Sequence, residues 1–88
     1  MFSRVEFLDP YYDSFLRLER CPMTHLALGL LLFVAVARAE RVAPLEGTSM
    51  RAVITTGAAG LPRLRVFFFI EDGVLNIMHV KHYDELEP

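Results

Sequence analysis

A single cysteine, Cys21, in 88 residues excludes an intrachain disulfide framework, and a four-ligand zinc site would have to be completed from three histidines and carboxylates. The thiol reads as a structural one in a reducing compartment, because cysteine is among the residue types most often buried. Basic charge is also scarce. Nine Lys and Arg, with Lys81 the single lysine, stand against eleven Asp and Glu, giving a net charge of −2. The chain therefore lacks the overall basic field of a nucleic-acid-binding domain, and any such contact has to come from local clustering. Repeats and low-complexity segments are missing too. Apolar side chains, by contrast, make up 53% of the residues, which excludes disorder and permits a dense core. Eighty-eight residues suffice for one domain and not for two, so residues 1–88 form a single domain. A body of this size leaves some of that apolar surface outside, and such patches mark partner surfaces.

The most apolar stretch, residues 25–39 (HLALGLLLFVAVARA), has an h-region composition and ends in the small-x-small triplet Ala37-Arg38-Ala39. The residues before it carry Glu6, Asp9, Asp13 and Glu19, unlike a positively charged n-region. Its uncharged core, residues 26–37, would span about 18 Å as helix against a hydrocarbon thickness of about 30 Å. The expectation is a buried helix of a cytoplasmic protein, with no membrane contact. An initiation at Met23 would revive the export reading.

The order of elements follows from local signals. Residues 2–8 (FSRVEFL) mix β-branched and aromatic residues with polar ones and read as a strand. Asp9-Pro10 starts a helix, with Asp9 as cap and Pro10 at the first helical position, which ends near Cys21-Pro22. Thr24 caps a second helix running to about Glu40, apolar nearly all round, so that a second helix or a partner must cover its far side. Residues 51–56 (RAVITT) read as a strand and 57–62 as a loop. Residues 64–71 (LRVFFFIE) and 74–83 (VLNIMHVKHY) flank Asp72-Gly73, a strong hairpin signal because both turn positions require positive φ. The fold class is α+β, in the order β-α-α-β-β-β: an antiparallel sheet with two helices packed on one face.

A two-residue turn pairs residues whose numbers sum to 145. Alternation then puts Leu64, Val66, Phe68, Ile70, Leu75, Ile77, His79 and Lys81 on the core face. Arg63, Arg65, Phe67, Phe69 and Glu71 share the other face with His82, Val80, Met78, Asn76 and Val74. On that outer face Arg63 would stand opposite His82, with Arg65 diagonal to it. Guanidinium pairs clamp phosphate oxygens, histidine moves protons near neutral pH, and Phe67 or Phe69 can stack a base. Together these are the elements of RNA cleavage by a 2′-hydroxyl. Solvated strand arginines and a surface histidine remain the plainer alternative. His79 and His82 point to opposite faces of a strand and make no metal pair; neither metal nor cofactor is expected.

Residues 62–79 (PRLRVFFFIEDGVLNIMH) resemble the arginine–aromatic, Asp-Gly, hydrophobic, histidine hairpin of the RelE/ParE superfamily of bacterial toxins, especially its RelE and phage branches. The similarity is close over about a fifth of the chain and extends loosely to the order of elements. It implies the toxin of a type II toxin–antitoxin pair, bound by a cognate antitoxin. RelE-like members are metal-independent, ribosome-dependent mRNA endonucleases, whereas ParE-like members inhibit DNA gyrase without catalysis. By position, Arg51, Arg63 and Arg65 match the family's basic sheet residues, and His82 or Tyr83 matches its C-terminal catalytic position. The implied assignment is Arg65, His82 and Tyr83 as catalytic residues, with Arg51, Arg63, Lys81 and Phe67 holding RNA. Those branches usually continue after the histidine with a lysine-rich segment, where this chain turns acidic after Tyr83. The alternatives are a ParE-like inhibitor, an inactive homologue acting by binding, or an oligomerising protein that dimerises through residues 26–37.

Overall fold

Two layers, a four-stranded sheet and a pair of helices, build the protein in a computed structural model that describes residues 2–18, 21–54 and 61–83. Strand β1 (Arg4–Phe7) leads into helix α1 (Asp9–Leu16), and α2 (Pro22–Arg38) ends in a 3-10 turn, Ala39–Arg41. Strands β2 (Arg51–Ile54), β3 (Leu64–Glu71) and β4 (Val74–His82) follow, giving the expected α+β order β-α-α-β-β-β. Part of the second expected strand and most of the loop after it, residues 55–60, lie outside the described residues.

The sheet order is β1-β4-β3-β2. Strands β2, β3 and β4 pair antiparallel, as their short connections require. Strand β1, however, pairs parallel with β4, Arg4 beside Val74 and Phe7 beside Ile77. The sheet is thus mixed rather than wholly antiparallel. The expectation failed here because a hairpin dictates orientation only between strands it joins, and both helices and two strands intervene between β1 and β4.

The turn matches its chemistry, with Asp72 at φ 51° and Gly73 at φ 75°. The helix starts are slightly displaced from expectation. Leu8, not Asp9, is the residue flanking α1, and its N–H donates to the Ile77 carbonyl at 3.0 Å, so strand passes into helix without a loop. Asp9 instead lies in the first turn, where negative charge is favoured by the positive end of the helix dipole. Cys21 flanks α2 with Pro22 at its first position, and Thr24, read as the cap, is buried in the first turn.

Both helices pack on the same side of the sheet. Tyr11 and Leu18, from and just after α1, and Ala27, Leu28, Leu31 and Ala35 of α2 close over Leu64, Val66, Phe68, Leu75, Ile77 and Val80. Side chains such as Phe68, Leu31 and Ile77, fully removed from water, each contribute about 1.5–3 kcal/mol. Burial, and secondarily the neighbouring Tyr12 hydroxyl, raises the Tyr11 pKa. By length and composition alone, the helical segment 22–41 could cross a bilayer, and a third of its most apolar window is buried inside the protein.

Strand β1 ends opposite Ile77, which leaves the outer half of β4 without a strand partner on that side. Ser14 takes over there. Its buried hydroxyl accepts the Val80 N–H at 3.0 Å and donates to the Tyr11 carbonyl at 2.8 Å, locking α1 to β4. Removing it leaves a buried N–H unpaired. Ser14→Ala should therefore lower unfolding free energy by about 1–3 kcal/mol in urea denaturation, more than a surface Ser→Ala change.

Candidate nucleic-acid interface

The pairing of β3 with β4 decides which side chains share the outer face. From the turn outward the pairs sum to 145 as far as Phe68 opposite Ile77. There the register slips by one: Phe67 stands opposite His79, Val66 opposite Val80, Arg65 opposite Lys81 and Leu64 opposite His82. Met78 is the extra residue, a β-bulge. Because side chains alternate with period two, one added residue exchanges the faces of everything beyond it. Val80 turns inward and is buried, His79 and Lys81 turn outward, and His82 moves to the helix side.

Two pairings expected from the sequence change as a result. His82 does not face Arg63; it stands opposite Leu64 and lines a cleft of about 400 Å³ between the end of α1 (Ser14, Arg17, Leu18) and the edge of β4, which His79, Val80 and Lys81 also border. Arg63 faces Tyr83 instead, whose N–H donates to the Arg63 carbonyl at 2.8 Å. Arg51, opposite Phe68 and so on the helix side, donates from Nη1 to the Ala39 carbonyl at 2.8 Å. It satisfies the end of α2 and takes no part in the outer face.

The structure brings together Arg63, Arg65, Phe67, His79, Lys81 and Tyr83. The Tyr83 ring lies under both guanidiniums, with Arg63 Cζ 4.2 Å and Arg65 Cζ 4.9 Å from its centroid. Phe67 is 5.8 Å from Arg65 Cζ and 5.7 Å from Lys81 Nζ, and the His79 ring stands edge-on to it at 6.2 Å. Contacts of this kind contribute about 0.5–1 kcal/mol each where solvent reaches them, and they hold the cations in place. Arg63 is exposed, Arg65 half-buried and Lys81 buried, with Arg65 Nε enclosed and making no hydrogen bond. Away from this corner the face changes character: Arg4 pairs with Glu6 at 3.0 Å, and Glu71 sits beside the turn.

Chemically the corner offers three cations for phosphate oxygens, two aromatic rings for stacking, and one imidazole for proton transfer. Sequence reasoning missed His79. A signal was there: apolar residues fall on odd positions at Leu75 and Ile77 and on an even one at Val80, which marks a change of parity. Among the described residues, no group of three or more His, Cys, Asp or Glu is placed to hold a metal ion. No family model matches the chain, and no curated protein is significantly similar to it.

Arg51 and Arg63 can be told apart by stability. Arg51→Ala should cost about 1–2 kcal/mol in chemical denaturation, through the lost bond to Ala39, while Arg63→Ala, at an exposed position with one ring contact, should cost less, about 0.5–1 kcal/mol.

Proposed function

We propose that the protein is a toxin of the RelE/ParE type, acting in the cytoplasm as a metal-independent endonuclease on single-stranded mRNA and held in check by a cognate antitoxin. The observation that carries this reading is the cationic–aromatic corner, a local cluster in a chain of net charge −2. The resemblance of residues 62–79 supports it, together with the order of strands and helices.

In this reading Arg63 and Arg65 grip the scissile phosphate while Phe67 and Tyr83 stack the flanking bases and splay the strand. His79 takes the role first assigned to His82. The 2′-hydroxyl attacks phosphorus, forming the O2′–P bond and breaking P–O5′, to leave a 2′,3′-cyclic phosphate and a 5′-hydroxyl. The proton lost from O2′ passes to the imidazole of His79, and an equivalent proton is returned to the departing O5′. Arg65, desolvated on one edge, supports the negative charge that builds on the phosphoryl oxygens.

A binding-only version, as a gyrase inhibitor or an inactive homologue, is favoured by one observation: His82, one of the two matches to the family's catalytic position, stands opposite Leu64 on the helix side, on the face opposite Arg63 and Arg65. Expression in bacteria separates the two. Growth arrest with cleaved messages, relieved by Arg65→Ala and by His79→Ala but not by His82→Ala, is the expected result. His79→Ala should lower cleavage about 100-fold or more while RNA binding stays within a few fold. Arrest with DNA-damage signalling and intact messages would identify the gyrase version, and unrestrained growth with intact messages would remove the toxin reading. In vitro, three cations predict a slope of about −2 for log K against log salt on single-stranded RNA, reduced by about 0.7 in Arg65→Ala.

A further inference from the structure

Helix α2 buries one side in the core and turns an uncharged stripe outward. Met23, Leu26, Leu30, Phe33 and Val36 are 41%, 53%, 51%, 73% and 39% exposed. At 100° per residue Phe33 points directly away from the core, the most exposed large apolar side chain described. One turn before it lies Gly29, also exposed, where an added Cβ would meet nothing within 4 Å. A knob and a hole thus stand side by side on the same stripe.

We infer that this stripe is the interface of a two-fold dimer in which α2 packs antiparallel on α2 of a second copy. In an isologous contact, residue i meets j and j meets i, so a surface that is its own complement fits a second copy of itself. If Phe33 of each protomer enters the hollow over Gly29 of the other, facing residues sum to 62, and Leu26 then meets Val36 at both ends. Leu26, Gly29, Phe33 and Val36 recur at spacings of three and four, the seam of a helix pair packed knobs-into-holes. Antiparallel packing also sets the positive end of each helix beside the negative end of the other. Full burial of the exposed parts of the stripe's five large apolar side chains would remove roughly 500 Å² per protomer, the small end of the interface range. About 1,000–1,200 Å² in total is the lower limit for a specific interface, so the dimer is in concentration-dependent equilibrium with the monomer.

Sedimentation velocity from about 5 μM to 1 mM tests this on the full chain, with vesicle flotation on phosphatidylcholine–phosphatidylglycerol liposomes in parallel. The expected result is a monomer–dimer transition whose dissociation constant rises at least 30-fold in Phe33→Glu. In a Cys21→Ser background, Leu26→Cys with Val36→Cys should cross-link on oxidation into a covalent dimer, and Leu26→Cys alone should not. A monomer at every concentration, a dimer indifferent to Phe33→Glu, or cross-linking by Leu26→Cys alone overturns the proposal. Flotation lost in Phe33→Glu, from a protein that stays monomeric, overturns it in favour of a lipid surface. None of these readouts depends on RNA, so the interface and the nuclease reading stand or fall separately.

Discussion

The ribbon of β3 and β4 carries the core on one side and the cationic corner on the other, and Met78 divides it into two halves of opposite parity. Inside the bulge, Leu75 and Ile77 fill the core; beyond it, Val80 does. The hydrophobic effect selects this arrangement. An unbroken register would turn the apolar Val80 to water and press the polar His79 toward the helices, and that loss outweighs one unpaired ladder position. Tyr83 and Lys81 therefore reach the arginines as a by-product of keeping the core dry.

The corner shows how an acidic protein can hold a basic site. Its three cations sit where β3 and β4 run out, with the Tyr83 and Phe67 rings against them. Rings steady a guanidinium without neutralising it, so its donors stay available to an anion. Arg51 is the counter-example. One strand away and on the opposite side, the same residue type is committed to a carbonyl at the end of α2.

Much of the architecture was legible in local chemistry. Asp72-Gly73 announced its turn because few residue pairs accept positive φ twice, and Pro10 marked the start of α1, whereas Pro22, read only as the stop of the first helix, proves to open the second. The parallel pairing of β1 was not legible, since it is set by contacts between opposite ends of the chain. Nor was the bulge, which has no short-range signature; only the change of parity between Ile77 and Val80 hinted at it. The candidate site inherited that error. Arg63, Arg65 and Phe67 share a face as the alternation of β3 predicts, whereas Lys81 and His79, expected on the core face, lie on the outer one and His82, expected on the outer face, lies on the helix side.

The extra residue in β4 also constrains how such a chain can vary. Replacing Met78 by another side chain alters one half-buried position, whereas deleting it would turn the strand's last third inside out, sending Lys81 and His79 toward the helices and Val80 to the surface. Length at this point is therefore far less negotiable than identity. A neighbouring insertion could be tolerated only together with a second change of length that restores the count before Val80.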